Sequence, residues 1–147
     1  MSKKSRSFGS LYGLVAGLAI SAVALSGCGT TFAMQPDPSV PFAMGQVDAS
    51  FEKDGNGTMK VKVQHLGDPA KLNPAATTYV VWIKPHSDKQ DVKPQNMGSI
   101  KVDSDYSGSI QFTTTFKGFD ITITPEPAPD VTTPSGRDIL KASISAS

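Results

Sequence analysis

Thr77-Thr78-Tyr79-Val80-Val81-Trp82-Ile83 is the stretch that decides the fold. An uncharged run rich in β-branched and aromatic side chains describes a strand in the middle of a sheet, covered on both faces or nearly so. On either side of it the pattern changes to strict alternation, the mark of strands with one wet face. Upstream, residues 46–52 alternate Val47, Ala49 and Phe51 with Gln46, Asp48, Ser50 and Glu52. Asp54-Gly55-Asn56-Gly57 then supplies a hairpin turn, because Gly and Asn tolerate positive φ. Residues 58–66 resume with Met59, Val61 and Val63 on one face and Lys60, Lys62 and Gln64 on the other. Downstream, a polar loop over 85–97 leads to a strand at 98–102 and a turn at 104–108. The next strand, 109–116, presents Ile110, Phe112, Thr114 and Phe116 together. Lys117-Gly118 turns the chain into 119–124, where Phe119, Ile121 and Ile123 alternate with Asp120, Thr122 and Thr124. A last strand over 137–145 puts Leu140, Ala142 and Ile144 inward. Between them, Pro125, Pro127, Pro129 and Pro134 are expected to keep their segment out of any sheet.

Helical periodicity is missing outside the first residues of the chain. About seven short strands, with a single Cys and so no disulfide between sheets, predict an all-β sandwich of the immunoglobulin or fibronectin III type. A flattened barrel is the alternative. Trp82, the only tryptophan, lies in the third strand and is the expected core marker, in the place of the buried Trp of such sandwiches.

The chain has 147 residues, and its first 27 read as a removable export signal. Lys3, Lys4 and Arg6 form a positive start, and LYGLVAGLAISAVAL (11–25) an apolar run shorter than the roughly 20 residues of a bilayer-spanning helix. Leu25-Ser26-Gly27-Cys28 follows and resembles the lipobox of bacterial lipoproteins. That resemblance implies that the Cys28 thiol takes a diacylglyceryl group, that the chain is cut just before it, and that the new amine is acylated. The implied partner is therefore membrane lipid through acylated Cys28, the domain facing the periplasm or the cell exterior. Gly29 in place of Asp after the cysteine favours the outer membrane in a didermal cell. Residues 28–44, with Pro36, Pro38 and Pro41, read as the lipidated Cys and a Pro-rich tether, reaching at most about 50 Å, unless Val40 and Phe42 dock. Residues 45–147 form the sandwich. Without the leader, 11 Lys and Arg stand against 13 Asp and Glu, a net charge of about −2. This leaves no electrostatic footprint for nucleic acid.

Three patches form a recognisable pattern: Thr78-Tyr79-Val80-Val81-Trp82-Ile83, Asn96-Met97-Gly98-Ser99-Ile100, and Phe119-Asp120-Ile121-Thr122-Ile123-Thr124-Pro125-Glu126 followed by Pro134-Ser135-Gly136. Together they resemble the extracytoplasmic domain of anti-sigma-K factor-type regulators, a pattern shared by small bacterial lipoproteins, over about residues 45–143. The resemblance implies a sandwich module working outside the cytoplasm. Sigma-factor binding is not implied, because the sequence shows no sigma-binding domain and no His-x-x-x-Cys-x-x-Cys zinc motif.

Individual sites carry little chemistry. Asp54-Gly55-Asn56-Gly57-Thr58 resembles the start of a calcium loop, but Met59 stands where Gly is required and His65 where Glu is required. His65 and His86 with Met97 or Met44 suit copper by ligand softness, yet they show no local ligand spacing, and no metal or other cofactor is expected. Nucleophilic catalysis needs a base within reach of an activated hydroxyl or thiol. No G-x-S-x-G is present, and Asp88, Asp91, Asp103 and Asp105 read as solvated loop acids. Tyr106 is the candidate exposed aromatic, and the loop around 84–97 a candidate rim contact. The sequence therefore predicts a non-enzymatic, lipid-anchored envelope protein with a binding or structural role. The alternatives are a sensory or regulatory accessory related to anti-sigma ectodomains and a carrier of a small ligand or metal.

Overall fold

A computed structural model describes residues 29–89 and 91–146. The expected leader and the lipobox residues Leu25, Ser26, Gly27 and Cys28 lie outside the described residues. The strands are β1 (Gly29–Ala33), β2 (Gln35–Pro36), β3 (Met44–Phe51), β4 (Gly57–Gln64), β5 (Thr78–Pro85), β6 (Gln95–Ile100), β7 (Gly108–Thr114), β8 (Gly118–Glu126) and β9 (Leu140–Ser145). A one-turn helix, α1 (Pro69–Leu72), follows β4, capped by the Asp68 carboxylate, which accepts from the Ala70 N–H. The strands form two antiparallel sheets, β1-β3-β4-β7 and β2-β9-β8-β5-β6. The chain is thus an all-β sandwich. From β3 onward, the order departs from the constant-domain immunoglobulin pattern in one respect: the fourth strand, β6, lies beside the third rather than in the opposite sheet.

Alternation explains why the sheets stack. Val47 and Ala49, then Met59, Val61 and Val63, line the inner face of the first sheet. Tyr79, Val81, Ile83, Phe119, Ile121 and Ile123 line the inner face of the second. Outward on the first sheet stand polar residues, including the Lys62–Asp48 pair at 2.7 Å. The Asp54 carboxylate accepts from the Asn56 backbone and side chain, so the β3–β4 connection is an Asx turn. β6 begins at Gln95, three residues before the predicted strand, because Gly98 adopts a φ of 118° and absorbs a bulge opposite Val81 and Trp82.

Three expectations need correction. Residues 29–44 are not a free tether. β1 pairs with β3 from Gly29↔Ser50 to Ala33↔Gln46, and β2 pairs with β9 at Gln35↔Lys141. One extended segment therefore begins in one sheet and ends in the other. Met34, 5% exposed, plugs the space between them and donates its N–H to the Gly45 carbonyl at 2.8 Å. Prolines exclude a helix here but not an edge strand, and β2 is an edge. Gly45 is glycine for space, since a Cβ there would lie 2.9 Å from both Met34 Sδ and Leu140 Cδ1. Val40 packs on the core as the docking alternative expected, whereas Phe42 is 82% exposed.

The second correction concerns Trp82. It is fully buried, but not between the sheets. Tyr79, Val81 and Ile83 point to the inter-sheet core, so Val80 and Trp82 point the other way. Their cover is the chain after β8, which folds back over the outer face. The third concerns Pro125, which lies within β8 opposite Tyr79. β9 flanks β8 only as far as Ile123, so Pro125 falls where the sheet has become an edge.

If residues 29–36 belong to the fold, Met34→Ala should destabilise the domain by about 2–4 kcal/mol. Urea unfolding measures it, and a loss within experimental error would restore the tether.

Candidate functional site

The outer face of the five-stranded sheet has two halves, one covered and one open. Over the covered half, Trp82 Nε1–H donates to Thr124 Oγ1 at 2.8 Å, and the Thr124 hydroxyl donates to Glu126 Oε1 at 2.5 Å. Glu126, with no exposed surface, also accepts from the Ser135 hydroxyl (2.5 Å) and from the backbone N–H groups of Ser135 (2.9 Å) and Gly136 (3.3 Å). From β6, the Asn96 amide donates to the Pro129 and Val131 carbonyls at 2.9 and 2.8 Å. These bonds latch residues 127–136 over Trp82. A Cβ on Gly136 would strike the Pro125 carbonyl oxygen, so only glycine allows the approach. Burial pushes the Glu126 carboxyl up. The Ser135 and Thr124 hydroxyls and the two backbone N–H groups outweigh that and hold it below its ordinary 4.5. Residues of three sequence patches, 78–83, 96–100 and 119–126 with 134–136, meet at this latch.

Beyond the latch the face opens into a groove of about 530 Å³. Lys84, Asp120, Thr122, Lys141 and Ser143 line its floor, and Pro94 and Pro134 its walls. A shallower hollow of about 490 Å³ continues it past His86 and Asp88. Register fixes the floor: Lys84 lies opposite Asp120, Asp120 opposite Ser143, and Thr122 opposite Lys141. Cation, acid and hydroxyl thus alternate across three strands. His86 Nε2 lies 3.0 Å from Asp120 Oδ1 and 3.3 Å from Ser143 Oγ. That hydrogen bond, above all, holds the Asp120 carboxyl below its ordinary 3.8. In a nucleophilic relay the acid and the hydroxyl occupy opposite ring nitrogens. Here both lie at Nε2, so the nitrogen that Ser143 meets is the one that Asp120 already occupies. The arrangement suits recognition by hydrogen bonds and charge. A larger hollow, of about 800 Å³, lies beside β1, β4 and the β6–β7 connection. Its only charged residue, Lys62, is already paired with Asp48, so it offers less chemistry.

The residues singled out from sequence scatter. His65, exposed at a φ of 56°, follows the end of β4 that pairs with Met44. His86 bonds to Gly118 at the opposite end of the sandwich. The two histidines therefore do not share a site, and Met97 stands on β6. Among the described residues no group of three or more His, Cys, Asp and Glu is placed to hold a metal ion. Tyr106 is not an exposed platform. It packs partly buried against the core at a φ of 56°, and its carbonyl accepts from the Leu66 N–H. The groove was missed because Lys84, Asp120, Lys141 and Ser143 each read singly as a strand's wet face. Only strand order makes them neighbours. Compared with known proteins, the chain matches no family model, no curated protein and no solved structure.

A carboxyl lowered in the folded state contributes stability in full above its unfolded value and loses it as pH falls through the folded one. Glu126→Gln should therefore cost about 1–3 kcal/mol near neutrality. It should also shrink the loss of stability below about pH 4.5, leaving the share of the other lowered carboxyls, Asp37, Asp48, Asp54, Asp103 and Asp120. Urea midpoints across that range check both. Trp82→Ala, at the other end of the same chain of bonds, should cost about 3–5 kcal/mol. A change below about 1 kcal/mol would mean that the covered face is not a second core.

Proposed function

We propose that this protein is a non-enzymatic lipoprotein of the cell envelope, anchored by acylation of Cys28 and working as a β-sandwich binding or structural module. One observation carries the reading. The chain's one cysteine stands at the junction between the apolar run and the sandwich, the position from which acyl chains would anchor the module. The sequence supports it with the positive start, the short apolar run and Leu25-Ser26-Gly27-Cys28. No helix among the described residues is long and apolar enough to cross a membrane. The module faces the periplasm or the cell exterior, and Gly29 favours the outer membrane in a didermal cell.

For contact with a partner, the groove of Lys84, Asp120, Lys141 and Ser143 offers donors and acceptors at fixed spacing. A second reading, an accessory related to anti-sigma ectodomains, is favoured by the convergence of the three resembling patches on the Glu126 latch. Sigma binding is no part of it. Carriage of a metal by His65 and His86 has no such support, since they stand at opposite ends.

Cys28→Ala should abolish incorporation of labelled palmitate and release the protein from the membrane fraction. Unchanged labelling and fractionation would overturn the anchor.

A further inference from the structure

We infer that the sandwich sits directly on the bilayer, with the Gly29 end of its sheets against the lipid headgroups and no spacer between. The inference rests on the acylation of Cys28 proposed above and adds an orientation to it. Successive Cα atoms are about 3.8 Å apart, and Gly29 is already in register with Ser50. The strand is held by the Thr31 hydroxyl, which donates to Asp48 Oδ1 at 2.8 Å, and by Phe32 packed on the core. Even if β1 peeled away entirely, the chain would run free only to the buried Met34, a reach of about 20 Å.

The registers define which surface meets the lipid. Gly29, Phe51, Gly57 and Thr114 lie at one end of the first sheet, and Pro85, Gly118 and Ser145 at the same end of the second. The β3–β4 hairpin, the β7–β8 turn and the β5–β6 loop therefore face the headgroups. These connections balance Lys53, Lys89, Lys93 and Lys117 against Glu52, Asp54, Asp88 and Asp91. The connections of the far end carry Asp37, Asp68, Asp103, Asp105, Asp130 and Asp138 against Lys71, Lys101 and Arg137. Against an anionic headgroup layer the balanced end is the favourable one. Phe42, 82% exposed, precedes β3 at the far end, about 25 Å away along the strand. It stands at the end away from the lipid.

The test uses the full-length protein, matured in its lipidating host and reconstituted into phosphatidylcholine–phosphatidylglycerol vesicles carrying a headgroup-linked quencher. Acylation occupies the chain's one cysteine, so Lys53→Cys and Ala75→Cys each offer a single thiol for a fluorophore, one at each end. Quenching at position 53 should exceed that at 75 several-fold. Twenty flexible Gly-Ser residues inserted after Cys28 should erase the difference without changing the lipid mass on the protein. Equal quenching at both positions, or more at 75 as a lipid-dipping Phe42 would give, on protein whose intact mass includes the acyl groups, overturns the seating and leaves the anchor standing. An intact mass without lipid overturns both.

Discussion

Everything in this sandwich answers to β5, a strand that has no polar residue from Tyr79 to Ile83 and so needs cover on both faces. The first sheet covers one face. For the other, a loop must fold back, and a loop has backbone polar groups that burial would leave without partners. Glu126 resolves the conflict. A buried carboxylate costs several kcal/mol unless it is fully hydrogen-bonded, and this one accepts from Thr124, Ser135 and Gly136. Its charge organises the loop ends, the loop shields Trp82, and the Trp82 N–H closes the chain through Thr124. No buried side-chain nitrogen or oxygen is left without a partner among the described residues.

The open groove is the part of that same face where the latch stops. Its character follows from the strands rather than from any dedicated loop. The residues beyond Trp82 on β5, before Thr124 on β8 and along β9 no longer meet cover, and they turn polar. Rigid backbone spacing holds their charges and hydroxyls in a fixed array, which is what recognition of a polar partner requires. His86 joins the array from the first residue after β5, so the groove runs out toward the Gly29 end of the molecule.

Much of the fold was legible because its signals are local. Alternation over 46–52, 58–64 and 119–124 reports one wet face without reference to any neighbour, and the Asp54–Gly57 turn carries its own stereochemistry. What the sequence obscured depends on distant partners. Thr30, Thr31 and Phe32 suit a strand, yet three nearby prolines give the segment a linker's composition, and only the edge offered by β3 and β9 decides. Pro125 breaks a central strand but not one whose second neighbour has ended. Trp82 reads as core in either orientation, because burial is common to both faces and direction is a matter of register. For the candidate site the limit is sharper. No spacing in the chain relates Lys84, Asp120 and Ser143, which adjacent strands alone bring together.

The pairing of β2 with β9 ties residue 35 to residue 141, and this sets an order of assembly. A chain delivered from its N-terminus presents residues 29–36 well before residues 140–145. Until the final strand emerges, β8 lacks its second neighbour, β2 has nothing to join, and Met34 has no floor of Leu140 to rest on. Closing a loop of that length costs entropy that no local contact returns beforehand. The sandwich is therefore completed only after the whole chain has been handed over. Its opening residues wait, unpaired on one side, for its closing ones.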